Sequence, residues 1–262
     1  MWLCVDVGNT SVKVAPSVEG GIGWVRRAGS RSVRTPDDVD KLLEAMLEDE
    51  DVPPEDVEGL VLASVVPSWT RDLQVVAERR RIAVLAVDAD TIPMPVRVAH
   101  PEAVGPDRLV NAYAAVRLHR APAIVVDAGT ATTFDVVDQH GAYVGGAIAA
   151  GAELGLQALG VGTARLPRVA LEPPASAIGI NTADALRSGA VYGHIGLVRE
   201  LLAQISSELS ASENSAPCRI LTGGFSASPW LSSMSEWDVV DPDLTLKGLA
   251  LVHEERTAGL LA

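Results

Sequence analysis

The sequence predicts an α/β fold built from two similar halves. Two observations carry that expectation. Short apolar, strand-like runs come as adjacent pairs, each pair followed by helix–strand units, the order that places helices against a sheet. A weak internal repeat then matches Val5-Asp6-Val7-Gly8-Asn9-Thr10 with Val126-Asp127-Ala128-Gly129-Thr130-Ala131: an apolar strand, Asp-x-Gly with a small polar residue, and another β-prone run. Leu62-Ala63-Ser64 and Leu221-Thr222-Gly223 form a second matching pair, each ending a strand before a helix.

The elements follow in order. Trp2 to Val5 is a strand that stops at Asp6-Val7-Gly8-Asn9-Thr10, and Ser11 to Ala15 is its partner, with Val12 and Val14 alternating against Ser11 and Lys13. Ile22 to Arg26 reads as a third strand. Pro36-Asp37-Asp38 opens a helix with Val39, Leu42, Leu43, Met46 and Leu47 at helical spacing and acids in its first turn. Glu48 to Glu58 holds seven acids and two prolines and reads as a solvated loop. Val57 to Val66 is a buried strand, Ser68 to Arg80 a helix, Ile82 to Val87 a strand and Gly105 to His119 a helix. Arg120 to Pro122 breaks the helical pattern, so the seam between halves is expected there, giving residues 1–120 and 121–262. Ala123 to Val126, then Ala131 to Val137 with Tyr143 to Ile148, repeat the strand pattern. Thr182 to Leu209 carries a long helical pattern with a break expected near Gly193 or Gly196. Arg219 to Leu221 is a strand ending at Thr222-Gly223-Gly224, and Leu244 to Glu255 a closing helix.

Composition narrows the function. The chain has 262 residues, 48% of them hydrophobic, which suits one large or two smaller folded domains and excludes a disordered chain. With 21 Lys and Arg against 34 Asp and Glu, the net charge of −13 repels phosphate backbones, so no nucleic-acid partner is expected. A small anion remains possible, because local cations and backbone N–H groups can build a positive pocket. Gly145 to Ala164, the most apolar long stretch, carries Glu153, Gln157 and several glycines and is no membrane span. The N-terminus lacks a basic segment and reads as no signal peptide, so a cytoplasmic location is expected. Cys4 and Cys218 sit in apolar runs, as buried free thiols do, and the five histidines show no zinc spacing.

No Gly-x-x-x-x-Gly-Lys-Ser/Thr and no Gly-x-Gly-x-x-Gly between a strand and a helix is present, which disfavours a P-loop or a Rossmann site. Asp-x-Gly-Asn-Thr at one hairpin and Asp-x-Gly-Thr-Ala at another suit phosphate. Glycine lets backbone N–H groups approach an anion, small hydroxyl residues add donors, and a strand-end Asp can hold Mg²⁺ through water. Two such hairpins facing each other would clasp a nucleoside triphosphate. Gly105-Pro106-Asp107-Arg108 opens a helix, with a carboxylate suited to acid–base work beside an Arg for an anionic group.

In this order and spacing the motifs resemble those of type III pantothenate kinases, the Bvg accessory factor family of the actin-like ATPase superfold, along nearly the whole chain. Asp6-Val7-Gly8-Asn9-Thr10, closed by Lys13, resembles the family's first phosphate motif. Gly105-Pro106-Asp107-Arg108 with Asn111 resembles its Gly-x-Asp-Arg substrate motif, and Asp127 to Thr133 its second phosphate motif. Gly145-Gly146-Ala147-Ile148, Thr163 to Pro167, Asn181-Thr182 and Thr222-Gly223-Gly224 resemble later landmarks. Val98 stands where the family usually carries Tyr, Pro106 where Ala is common, and Ala150-Gly151 where Pro-Gly is usual.

The resemblance implies two actin-like, ribonuclease H-like halves facing across a nucleotide cleft, and ATP-dependent phosphorylation of pantothenate, the first step of coenzyme A synthesis. It implies ATP binding by Asp6, Val7, Gly8, Asn9, Thr10, Ser11, Val12, Lys13 and Thr130, with Asp6 holding Mg²⁺ through water. Asp107 is the implied proton acceptor, and Gly105, Pro106, Asp107, Arg108 and Thr182 the implied pantothenate site. Asp127 is the implied ligand of a monovalent cation, K⁺ or NH₄⁺. A homodimer is implied too, for which the helix from Thr182 offers an apolar face with Ala185, Leu186, Val191 and Ile195. The rival expectations are a non-enzymatic nucleotide-binding accessory or transcription factor of the same family, and a kinase for another small alcohol.

Overall fold

The computed structural model describes residues 1–31, 33–212 and 215–260. Its chain divides into two compact units, one of Met1–Leu118 with the chain from Asp243 onward, the other of His119–Pro242.

The first unit is built on a 6-stranded sheet. β1 (Trp2–Val7) and β2 (Ser11–Val18) form an antiparallel hairpin, and β5 (Gly59–Ser64) and β6 (Ala83–Ala86) continue the sheet in parallel on the other side of β1. The single strand expected at residues 22–26 is instead two, β3 (Gly21–Ile22) and β4 (Arg26–Gly29), both paired with β2. The reason is local. Residues 15–16 of β2 oppose residues 23–25, one residue more, at Pro16, which has no N–H for the ladder; only its carbonyl is used, accepting from Gly23 N at 3.0 Å.

Helices cover both faces of this sheet, which explains why β1 and β5 read as continuous apolar runs. α1 (Pro36–Glu48) and α2 (Pro67–Arg80) bury Val39, Leu43, Trp69 and Leu73 against Leu3, Val5, Val7, Val12 and Leu62. α1 starts where its sequence says it should: Thr35 Oγ1 accepts from Asp38 N at 3.2 Å and Pro36 takes the first helical position. Ion pairs of Arg79 with Asp37 and of Arg80 with Asp40 and Glu44 tie α2 to α1. The other face is packed by α3 (Pro106–Leu118) and α7 (Leu244–Leu260), which contact each other and β5. Sequence alone assigns residues 121–262 to the second half. α7 departs from that because its apolar side, with Leu246, Leu249 and Ala250 fully buried, lies against β1, β2, β3 and β5 of the first sheet.

The second unit carries a 5-stranded sheet. β7 (Ala123–Ala128), β8 (Ala131–Val137) and β9 (Tyr143–Ala150) form an antiparallel meander, and β10 (Cys218–Thr222) and β11 (Val239–Val240) run parallel to β7. Between β9 and β10 come α4 (Ala152–Gly162) and α5 (Thr182–Ser212); a short α6 (Pro229–Ser232) precedes β11. The long helix runs unbroken through Gly193 and Gly196. Each mid-helix glycine costs about 1 kcal/mol against alanine, but Val191, Val198, Leu202 and Leu209 bury one stripe, worth about 1.5–3 kcal/mol apiece. The sequence repeat is a repeat of topology. Order β3-β2-β1-β5-β6 in one unit corresponds to β9-β8-β7-β10-β11 in the other, with the same strand senses. Leu62-Ala63-Ser64 pairs with Val5-Asp6-Val7, and Leu221-Thr222 with Val126-Asp127, so the second matching pair occupies equivalent register positions.

Cys4 and Cys218 are free and buried, and burial pushes the Cys4 thiol up to about 12. Leu186 and Val191, offered by the sequence as a dimer face, lie buried within this chain; the exposed large apolar side chains nearby are Val161, Ile178, Ile180 and Tyr192. No helix among the described residues is long and apolar enough to cross a membrane.

Candidate active site

In the first unit, the β1–β2 turn places Asp6 and Lys13 directly opposite each other across the strands. Their side chains pair at 3.7 Å, Oδ2 to Nζ, and are 16% and 9% exposed, so the pair is largely shielded from water. The next strand continues the row: Arg27 stands opposite Lys13 on β4 and is held by Asp243 Oδ1 at 2.6 Å, just before α7. One carboxylate and two cations thus lie side by side, with Asp243 taking up the outer cation. Gly8 N donates to Ser11 O at 2.9 Å to close the turn, and Asn9, Thr10 and Ser11 are exposed. Val7 and Val12 point into the core, so what they can offer a ligand is backbone.

The Gly105–Arg108 motif sits beside this turn in the same unit. Val65, just past β5, gives its N–H to Val7 O at 3.1 Å, and its side chain lies 3.6 Å from where a Gly105 Cβ would stand. That same position is 2.5 Å from Asp107 Oδ1, so glycine is what lets the carboxylate fold back over the start of α3. Asp107 Oδ1 accepts from Arg108 N at 2.9 Å, a donor that also reaches Gly105 O at 3.1 Å in the first helical turn. Asp107 and Arg108 are half-buried. One turn on, buried Asn111 Oδ1 accepts from Thr245 Oγ1 at 2.8 Å, fixing α3 to α7. An open cleft of about 600 Å³ adjoins the motif, lined by Ser64, Val65, Thr70, Arg71, Gly105 and Pro106 among others.

The second unit repeats the hairpin with a tighter turn. Residues 129–131 separate the paired Ala128 and Thr132, whereas residues 8–11 separate Val7 and Val12. Gly129 N donates to Ala131 O at 3.0 Å, and Thr130 is exposed. Two glycines crowd this end. Gly223 has φ +91, a conformation costly for other residues, and a Cβ there would overlap Asp127 Oδ1 and the Ala128 backbone. Gly151 donates its N–H to Thr130 O at 3.0 Å, and a Cβ would overlap Gly129 O and Thr130 O. Thr222 stands opposite Asp127 on β10, and its buried Oγ1 has no hydrogen-bond partner. The Asp127 carboxylate and the unsatisfied Thr222 hydroxyl on the adjoining strand are oxygen donors of the kind that hard cations take.

Thr182 is exposed at the start of α5, where Asn181 and Asp184 cap each other: Asp184 N donates to Asn181 Oδ1 at 2.9 Å, and Asn181 Nδ2 to Asp184 Oδ2 at 2.7 Å. His194 escaped sequence reasoning because nothing marks a lone helical histidine. It is buried, its Nε2 lies 3.1 Å from Thr132 Oγ1, and burial pushes its imidazole below the ordinary value. Among the described residues no group of three or more His, Cys, Asp or Glu could hold a metal ion. The oxygen donors at the first turn, Asp6 with the Thr10 and Ser11 hydroxyls, instead fit Mg²⁺ bound mainly through substrate phosphates.

The model of the type III pantothenate kinase family matches residues 2–204. The chain belongs to the type III pantothenate kinase family. A type III pantothenate kinase of Thermomicrobium roseum is 41% identical over 256 residues, spanning 97% of each chain. Among solved structures, a Campylobacter jejuni protein assigned to the Baf family of transcriptional activators superposes with TM-score 0.62 at 17% identity, over 98% of this chain and 99% of that one. The Clostridium difficile activator of 2-hydroxyisocaproyl-CoA dehydratase, solved with bound ADPNP, superposes with TM-score 0.51 at 11% identity, over 99% and 97%. At such identities these likenesses speak of fold alone, which is that of the actin-like ATPases.

Proposed function

We infer that this chain phosphorylates pantothenate with ATP, the first step of coenzyme A biosynthesis. The observation that carries the reading is family membership over nearly the full length, with the two phosphate motifs at the ends of β1 and β7 and the Gly105–Arg108 motif at the start of α3. In this account the first hairpin binds nucleotide phosphate through the turn from Gly8 to Ser11, with Asp6 and Lys13 at its base and Thr130 contributing from the second hairpin. Mg²⁺, held through Asp6, neutralises charge on the phosphates when bound. Gly105, Pro106, Arg108 and Thr182 hold pantothenate, with Arg108 as the cation for its carboxylate. The pantothenate hydroxyl oxygen bonds to the γ-phosphorus as the bond to the β–γ bridging oxygen breaks. ADP leaves, and the hydroxyl proton passes to Asp107. Asp127 and Thr222 hold a monovalent cation, K⁺ or NH₄⁺.

We also read the chain as a cytoplasmic homodimer. Ile178 and Ile180, 81% and 91% exposed beside Thr182, and Val161 at 72% are exposed apolar side chains that support this. A concentration-independent 27 kDa species in sedimentation would refute it. A panel of small alcohols assayed with ATP and Mg²⁺ tests the substrate. Pantothenate is expected to give the highest kcat/KM. A better alcohol would move the chain to another kinase, and ATP binding without turnover on any would favour an accessory role.

A further inference from the structure

Among the described residues, four buried side-chain atoms have no hydrogen-bond partner: Arg26 Nε, Ser30 Oγ, Thr222 Oγ1 and Glu236 Oε2. Two of these belong to groups engaged through other atoms, Arg26 with Glu50 and Glu236 with Arg199. Thr222 adjoins Asp127 in register. Ser30 is left, a hydroxyl on a residue only 5% exposed, in a position the nucleotide site does not yet use.

Its main chain is fixed on both sides. Ser30 N donates to Thr10 O at 3.1 Å, and Ser30 O accepts from Trp69 Nε1 at 3.1 Å, so the residue bridges the first phosphate turn and the start of α2. The second unit shows what this position does in the repeat. There Gly151 follows β9 and donates to Thr130 O, as Ser30 follows β4 and donates to Thr10 O. Gly151 has no room for a Cβ. The first turn is one residue longer, and its equivalent position carries a side chain with a hydroxyl. A buried polar group without a partner is costly, and a fold that could have used alanine has kept one at the turn.

We propose that Ser30 is a further nucleotide-positioning residue: its hydroxyl takes up its missing hydrogen bond on the Thr10 segment when nucleotide phosphate occupies the turn. Because Oγ is closed off from solvent, Ser30 acts on the turn and not directly on the ligand. The proposal rests on the reading of the Gly8–Ser11 turn as a nucleotide site.

The test compares wild type, Ser30→Ala and Ser30→Thr by melting temperature with and without Mg·ATP and by steady-state kinetics. Ser30→Ala removes a hydroxyl that makes no bond in the free protein, so its melting temperature without nucleotide is expected to equal or exceed that of wild type. Its ATP KM should rise about three- to tenfold, the worth of one ordinary hydrogen bond, and its ATP-induced stabilisation should shrink. The pantothenate KM and kcat should stay near wild type, and Ser30→Thr, which keeps the hydroxyl, should restore the ATP KM. A Ser30→Ala protein with wild-type ATP KM and wild-type ATP-induced stabilisation overturns the role of Ser30 while leaving the nucleotide site standing. A wild-type protein that Mg·ATP does not stabilise at all overturns the nucleotide reading, and this inference with it.

Discussion

Replacing Gly223 by alanine adds a single methyl group at the most crowded point beside Asp127. The backbone there has φ +91 and ψ 179, a region left almost wholly to glycine, which costs a residue with a Cβ roughly 1–3 kcal/mol. The new Cβ would lie 2.7 Å from both Ala128 N and Ala128 O and would overlap Asp127 Oδ1. Two of those three neighbours are backbone atoms of a central strand, so relief requires β7 and β10 to separate. Overpacking of that kind costs about 1–3 kcal/mol. Together the two effects predict a loss of about 2–6 kcal/mol, and with about 2–4 °C per kcal/mol for a domain of this size, a fall in Tm between about 4 and 24 °C. Calorimetry of wild type and Gly223→Ala measures it. Asp127→Ala in the Gly223→Ala background should recover part of the loss, because it removes one of the overlapping atoms, and the double-mutant cycle should show coupling of at least about 0.5 kcal/mol. A Tm within 1 °C of wild type, or strict additivity in the cycle, would refute the packing of Asp127 against Gly223.

Three further outcomes follow from the same residues. Asp107→Asn keeps the size and an acceptor oxygen but takes no proton at neutral pH, so kcat should fall roughly 10²–10⁴-fold with little change in ATP affinity; wild-type kcat would return Asp107 to a helix-opening acid. Turnover in Tris free of K⁺ and NH₄⁺ should be low and rise on adding KCl, and equal rates would remove the cation role of Asp127. Burial holds the His194 and His253 imidazoles below their ordinary value of 6.5. Below about pH 6.5 the unfolded chain therefore binds protons that the folded chain refuses. The stability from keeping these rings neutral is full above that pH and is lost as pH falls through it. Tm should drop from pH 7.5 to 5.5, and less so in His194→Gln; an identical pH dependence in both proteins would contradict it.

The hairpins, the helix starts and the topological repeat are legible in the sequence because each rests on local signals: alternation on β2, the Thr35 cap, the Asp-x-Gly turns. What is not legible rests on contacts between distant segments. Tyr143 to Ile148 reads as a strand and forms β9, but the residues after it mix apolar side chains with glycines at neither period, and only folding makes them α4. Gly193 and Gly196 look like breaks until the buried stripe of α5 is seen to outweigh them. The C-terminal helix joins the first unit through contacts that no local pattern announces. At the site, the strand-end carboxylates Asp6 and Asp127 and the Gly105–Arg108 helix start stand out in sequence. Ser30 does not, because its significance is a missing partner. Gly151 does not, because one glycine among 23 carries no sign that a carbonyl lies against it.

The most direct measurement is of ADP formed by the purified chain with Mg·ATP and KCl, with and without pantothenate, alongside product analysis by mass spectrometry. The account predicts ADP formation that depends on pantothenate, with one 4′-phosphopantothenate for each ADP. ADP release indifferent to pantothenate, or none in its presence, would contradict it.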